Sequence, residues 1–434
     1  MFCDDCTNNW VPGRQRKDVR YIQMAPERDM NRKMLALLGS GHAITDISQG
    51  ALPIILTFMQ PLFGLSQMQV GLTMLVFNIS SSVIQPVFGV LSDRFRAAWL
   101  VPLGCLLAGL GMALTGFSRS YGFLLLAALL SGLGVAAYHP EGSKFARLFS
   151  GWRKATGMSL FSVGGNVGFA LGPLLAGLFY KLFGMLGTIG FVVINGVMSL
   201  GLWANLPRLV DETEPAGRLE KAQTQKTQAR TGGKASPRLI MALVLLVLVV
   251  IMRSWINMGM ATFLPQYYVH YLHQSQVLAA VITSMFLFAG AIGTLTGGPL
   301  ADRWSLKAVI IGSMAALLPL LYLLPLVSGI WNVVVVAVTG FVVISTFAVT
   351  VVFGQELLPH NVGLASGLTL GLGIGLGGVG TTLLGWVADH LGLPAVFHVM
   401  LLFPVLGLCC ALFLPGRREL KQIDGNSPMR GVTE

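Results

Sequence analysis

"GVLSDRFRAAW", residues 89–99, returns 209 positions later as "GPLADRWSLKA", residues 298–308. A second pair keeps nearly the same spacing: "ATGMSLFSVGG" (155–165) is echoed by "ASGLTLGLGIG" (365–375) at an offset of 210. Two separate motifs sharing one offset indicate a duplicated unit rather than coincidence. Between the copies lies the only long internal polar stretch, residues 207–237, which divides the chain into two halves.

Both halves are too apolar for water. Hydrophobic residues make up 54% of the 434 and charged residues 11%, whereas soluble domains carry about 25% charged residues. Mean hydropathy is +0.72. Spans need about 20 mostly apolar residues, and windows of that length fall at 34–59, 68–91, 98–118, 121–146, 155–181 and 186–206. Six more follow at 238–269, 276–299, 307–327, 331–357, 363–391 and 393–414. The expected fold is an all-α integral membrane protein of 12 transmembrane helices in two pseudo-symmetric six-helix bundles, 34–206 and 238–415. Residues 1–33 form a polar, disordered tail without a cleavable signal, 207–237 a linker, and 416–434 a second tail.

The basic residues orient the stack. Seven of 29 Lys and Arg precede Met34, seven lie from Arg208 to Arg238, and four in the C-terminal tail. Arg94, Arg96, Lys144, Arg147, Arg153, Lys154, Arg303 and Lys307 fall in loops on the same side if both termini are cytoplasmic. Only Arg119 and Lys181 are left outside, and Arg253 within a span. This distribution assigns the formal charge of +11 to a membrane topology and removes nucleic acid as a partner. Parallel repeats about an axis along the membrane normal, with a shared site at the midplane, are a transporter plan.

The polar residues within the spans are then the candidate site, because an ionisable group at mid-bilayer is costly, roughly 2.5–3.5 kcal/mol on insertion scales, and faces a partner or a wet cavity. His42, Asp46 and Gln49 stand at i, i+4 and i+7 on one face of the first span. Asp46 lies about 18 Å beyond Met34, and Arg253 about 22 Å beyond Arg238, at 1.5 Å per residue. That matched depth in repeat-equivalent helices predicts an Asp46–Arg253 pair across a central cavity. Movement of a carboxylate relative to a guanidinium changes its hold on a proton, and the planar fork of Arg253 also suits a phosphonate or carboxylate cargo. Asn257 is one turn further along. Asn78, Ser82 and Gln85 make a stripe on the second span, and Ser159, Ser162 and Asn166 on the fifth; each lines the cargo path or bridges helices.

The chain resembles the major facilitator superfamily. Gly89, Asp93 and Arg94 fit its G-x-x-x-D-R signature, which recurs as Gly298, Asp302 and Arg303, although Arg96 stands where the pattern has glycine. Gly168, Gly172, Pro173 and Gly177 resemble the antiporter pattern of the fifth helix, with Ala176 replacing one glycine. Within the superfamily the runs "GHAITDISQGALP", "SSVIQPVFGVLSDR", "HPEGSKFA", "GMSLFSVGGNVGFALGP" and "RSWINMGMATFLP" are similar to the fosmidomycin resistance group of bacterial drug effluxers. The resemblance implies proton-driven export of a small drug or metabolite across the cell inner membrane by a monomeric chain, with the proton gradient as energy source and no cofactor. Uptake of an organic anion by proton symport is the alternative.

Glu141, in "YHPEGSK", resembles the superfamily's P-E-S-x-R element, with Lys144 at the basic position. Glu141 and Glu356 are read as gates, pairing with Arg94 or Arg96 and with Arg303 to hold the cytoplasmic side shut when the protein faces out; proton carriage by Glu141 or His139 is the second reading. Gly168 to Gly177 are read as close helix packing. The glycine run 363–380 follows no strand and has no P-loop Lys, which argues against nucleotide binding. Cys3 and Cys6 form a C-x-x-C with no second ligand pair nearby. Without H-E-x-x-H, a paired acidic metal motif or G-x-S-x-G, no metal site and no enzyme is expected.

Overall fold

The computed structural model describes residues 29–95, 97–151, 153–210, 237–358 and 373–416, with 365, 368 and 369. The N-terminal tail with Cys3 and Cys6, most of the linker, the C-terminal tail and part of the glycine run lie outside the described residues. So do the side chains of Asp93, Arg94 and Arg96.

Regular structure among the described residues is helical. The first half contains α1 (Arg32–Phe63), α2 (Gln67–Asn78), α3 (Gln85–Phe95), α4 (Leu100–Thr115), α5 (Tyr121–Phe149), α6 (Lys154–Phe183) and α7 (Ile189–Ala204). The second contains α8 (Pro237–Gln266), α9 (Gln276–Arg303), α10 (Leu306–Leu323), α11 (Gly329–Leu357), α12 (Gly373–Leu391), α13 (Leu393–Met400) and α14 (Leu402–Leu412).

Helix starts coincide with side chains able to satisfy the orphan N–H groups of a first turn. The Asn31 side chain accepts from the Met34 N–H, and those of Ser120, Ser275 and Ser305 cap α5, α9 and α10 likewise. Ser66 and Gln69 make a reciprocal capping box on α2,. Gly64, at φ 59°, terminates α1 in the left-handed region that favours glycine,.

Among the described residues the expected segments coincide with helices to within a few residues; the start of 363–391 lies outside them, and three segments differ in form. The segment expected at 68–91 is a helix interrupted by a π-turn, Ile79–Val83, just before Pro86. Proline has no N–H to donate, so the regular ladder cannot continue through it unchanged. A second π-turn, Tyr267–Tyr271, ends α8, and the last expected segment divides at Leu401 into α13 and α14.

Eight helical stretches are long and apolar enough to cross a membrane; one of them, Gly157–Ala204, comprises α6 and α7 joined by a 3₁₀ turn. α4 is apolar but shorter. α1 has the length and is not among the eight. Its His42, Asp46 and Gln49 lower its hydropathy, which is where the site begins.

Small residues set the spacing within the first half. A methyl on Gly164, Gly168 or Gly172 of α6 would stand 2.2 Å from the Gly39 carbonyl, 1.9 Å from that of Ala43, or 2.5 Å from that of Ile47. The backbones of α1 and α6 are therefore in contact along this seam. α6 runs through Pro173 without a break.

The hydrogen bonds seen between described residues of the two halves cluster at one end of the bundle. The Asp389 carboxylate accepts from the N–H groups of Gln67 at 2.6 Å and Met68 at 2.8 Å, where α2 begins. The Thr381 hydroxyl donates to the Gly71 carbonyl at 3.3 Å, and His270 Nε2 donates to that of Thr57 at 3.1 Å. At the same end Gly177 faces Ala280, leaving no room for a side chain.

Candidate functional site

The polar face of α1 is buried against α5 and α6. His42 and Asp46 are one turn apart, and His42 Nε2 lies 3.2 Å from Asp46 Oδ2. α5 brings His139 to the same place: its Nε2 is 3.1 Å from His42 Nε2 and 3.4 Å from Asp46 Oδ1. The contact with Oδ1 is within ion-pair reach but is not an aligned hydrogen bond.

The walls fix both rings. His42 stacks on Phe161 at 4.2 Å between centroids and donates its Nδ1–H to the Phe161 carbonyl at 2.8 Å. His139 donates its Nδ1–H to the Val135 carbonyl of its own helix at 2.8 Å. Gly165 of α6 makes space, since a methyl there would lie 2.5 Å from His42 Nε2 and 2.8 Å from Asp46 Oδ2. The Tyr138 hydroxyl donates to the Leu38 carbonyl at 2.6 Å, tying α5 to α1.

These bonds fix which ring nitrogen carries the proton in each neutral histidine. A carbonyl can only accept, so each Nδ1 carries a proton, and in a neutral imidazole the other nitrogen is then a bare acceptor. Two such Nε2 atoms and a carboxylate face one another. Three acceptors at these distances repel unless a cation lies among them. One added proton, making one ring an imidazolium, turns one repulsive contact into a charge-assisted hydrogen bond.

Arg253 is elsewhere. It is 3% exposed in α8, its guanidinium carbon 5.1 Å above the Phe347 ring of α11 and its Nε without a hydrogen-bond partner. The expected Asp46–Arg253 pair is not formed: the carboxylate engages the two histidines instead. Matched depth along two helices does not set their rotation about their axes.

Gln49 is half-buried on α1 and is not part of the histidine contacts. Asn78 is fully buried with both amide atoms unpartnered, and the Asn257 Oδ1, one turn from Arg253, is unpartnered as well. Gln85 donates to the Ser81 carbonyl at 2.7 Å, a bond within its own span. Asn166 is half-buried on α6.

Glu141, 2% exposed, stands 3.3 Å from Lys144 Nζ through both oxygens. Two positions beyond His139, it lies on another face of α5 and is separate from the cluster. Its expected partners Arg94 and Arg96, with Asp93, have side chains outside the described residues. Among the described residues no ion pair joins Glu356 to Arg303. Glu356 and Asp302 instead line an open cleft of about 550 Å³ with Lys307, whose Nζ donates to the carbonyls of Leu412 and Leu414.

Sequence reasoning places His42 and Asp46 together and treats His139 as a secondary candidate; it misses their convergence and misses Asp389. The available signal for Asp389 is an acid at the end of an apolar span, facing the side where α2 begins.

Residues 38–379 match the family model of the Major Facilitator Superfamily. The chain is 33% identical over 390 residues to the fosmidomycin resistance protein of Escherichia coli (strain K12), covering 89% of this chain and 93% of that one. It is 32% identical to an MFS-type transporter of Bacillus subtilis (strain 168), covering 90% and 94%. Among solved structures, a bacterial homolog to the human lysosomal transporter Spinster, inward-facing and unoccupied, superposes with a TM-score of 0.66 at 16% identity, over 92% of this chain and 96% of that chain. The fold, the apolar spans and these relatives agree: the chain is a multi-pass membrane protein and belongs to the Major Facilitator Superfamily of transporters.

Proposed function

We propose that this protein is a proton-coupled antiporter that exports a small drug or metabolite by alternating access across the cell inner membrane. In this reading twelve segments cross the bilayer with both termini cytoplasmic. The end latched by Asp389 is then the outer one. The observation that carries the reading is the His42–Asp46–His139 cluster, acceptors from two spans gathered closely enough to favour a shared proton.

The cargo in this reading carries an acidic group. Arg253 is a buried cation with no carboxylate beside it among the described residues, and its free Nε and the unpartnered Asn257 Oδ1 offer a donor and an acceptor for an anionic head. Phosphonates and carboxylates meet a guanidinium through paired, charge-assisted bonds. The relationship to a fosmidomycin resistance protein makes fosmidomycin the first cargo to try.

Proteoliposomes with an imposed pH gradient test the direction. Fosmidomycin moving against the proton flux supports exchange. Cargo and protons moving the same way would eliminate it and establish symport of an organic anion, the use to which Arg253 is equally suited.

A further inference from the structure

We propose that His42, Asp46 and His139 form a binding site for a divalent transition-metal ion of the Zn²⁺ class. The inference goes beyond the transport reading and does not depend on its direction or cargo.

The geometry supports it in four ways. First, the separations are 3.1 Å between the two Nε2 atoms and 3.2 Å and 3.4 Å from these to the Asp46 oxygens. Tetrahedral zinc binds nitrogen and oxygen at about 2.0–2.2 Å, for which neighbouring ligands stand about 3.3–3.5 Å apart. The two distances to Asp46 run to its two different oxygens; with one ligand atom taken from each residue, the three lie within 4.8 Å of one another, so a turn of the Asp46 carboxylate closes them on an ion-sized triangle.

Second, the rings are already in the ligand tautomer. Each Nδ1–H is engaged by a backbone carbonyl, Phe161 or Val135, the outer-shell arrangement that orients a metal-binding imidazole and keeps its Nε2 lone pair free. Third, a dication relieves all three acceptor repulsions together, whereas one proton satisfies a single pair. Fourth, the donor set selects the ion. Two imidazoles and a carboxylate suit Zn²⁺, Co²⁺ or Ni²⁺ and not Mg²⁺ or Ca²⁺, which prefer all-oxygen sites.

All three ligands belong to α1 and α5 of the first half, so the site survives movement of one half against the other. Three protein ligands leave a fourth position open. The His139 side chain is 22% exposed against 9% for His42 and 10% for Asp46, which puts the way in along the His139 edge. Metal and the added proton compete for the same lone pairs, and metal binding displaces it.

The experiment uses the full chain, purified in detergent, stripped with chelator and carrying Cys3→Ser and Cys6→Ser so that the tail thiols cannot contribute. Co²⁺ is the probe because its four-coordinate complexes absorb visibly; Zn²⁺ is then titrated by calorimetry. The expected result is about one Co²⁺ per chain with a four-coordinate spectrum, displaced by Zn²⁺ and unaffected by excess Mg²⁺. His139→Ala and His42→Ala, compared at equal size-exclusion profile and melting temperature, each weaken Zn²⁺ more than about tenfold, since even outer-shell changes cost that much. No Co²⁺ spectrum in the parent chain overturns the site, as does Zn²⁺ affinity unchanged by both substitutions. If the variants fail to fold, the presence or absence of the spectrum in the parent chain decides between the two. Because no cargo or gradient is present, failure here is distinguishable from failure of the transport reading.

Discussion

The two halves carry the same motifs at offsets of 209 and 210, yet each buries a different ionisable group on its first helix, Asp46 in one and Arg253 in the other. Arg253 follows Asp46 by 207 positions and Phe347 follows His139 by 208, close to the repeat offset of 209–210. Both pairs join the first span of a half to its fourth. In the first half the pair is a carboxylate and an imidazole 3.4 Å apart. In the second it is a guanidinium 5.1 Å from a phenyl ring. The first half thus gathers three acceptors that need a cation among them. The second holds a cation against the face of an aromatic ring, which attracts it without neutralising it. Matched positions thus offer a place for positive charge in one half and a place for negative charge in the other.

That division of labour is most sharply broken at Asp46. With Asp46→Asn the cluster loses its formal negative charge and its hold on a proton. Gradient-driven transport in proteoliposomes is expected to fall more than about 100-fold, in line with losses seen when general acid–base groups are removed. Cargo–cargo counterflow, which needs no net proton movement, is expected to persist. Loss of both would place Asp46 in cargo binding and dissolve the contrast between halves.

The complementary change is Arg253→Ala. It is expected to raise the KM for an anionic cargo about 10- to 100-fold, corresponding to about 1.4–2.8 kcal/mol, with proton binding by the first half unchanged. A KM shift with turnover preserved is the signature of lost ground-state binding. If a neutral cargo suffers equally, Arg253 supports the structure and not the recognition of charge.

How far this contrast is readable in the sequence depends on the range of each contact. His42 and Asp46 can be paired from i, i+4 spacing alone, because both are on one helix. His139 is 97 positions from His42, and its approach depends on how α5 leans on α1, which is governed by Tyr138 bonding to Leu38 and by Gly165. Hydropathy and charge locate the helical segments well because the bilayer imposes a single length and a single polarity on them. The break at Leu401 leaves no such trace, since the residues before and after it are equally apolar, and at Ile79–Val83 hydropathy is silent although Pro86 marks the place. The gating pairs rest on depth, which places two groups in the same layer; whether they meet depends on which end of the bundle is closed.

Packing offers a smaller but cleaner test of the first half as a preformed scaffold. A methyl on Gly50 would stand 1.9 Å from the Phe169 carbonyl, whereas on Gly122, near the start of α5, it would meet nothing within 4 Å. Gly50→Ala is expected to cost about 1–3 kcal/mol through overpacking, read as a lowered melting temperature in detergent. Gly122→Ala is expected to be neutral or slightly stabilising, because alanine favours the helix. Equal effects would mean that the α1–α6 seam yields easily and that the cluster it supports is not rigidly placed.

The smallest expected effect concerns the contact that holds the halves together. Asp389 reaches across them to accept two hydrogen bonds at the start of α2, where unsatisfied N–H groups and the helix dipole favour negative charge. Asp389→Asn keeps the shape but removes the charge and one acceptor oxygen. Because Asp389 is exposed, solvent reduces the loss to about 1 kcal/mol, roughly a fivefold shift in the equilibrium between closed and open at this end. Spin labels placed on α2 and α12 would show it as growth of a longer-distance population, with cargo affinity unchanged. If the distances do not move, the seam around Gly71 and Thr381 closes this end without help, and the carboxylate serves only to cap α2. Either result bears on the comparison of the halves: a latch of about 1 kcal/mol can be outweighed by binding a single proton or anion, so the opposite charges in the two interiors would suffice to open and close the bundle.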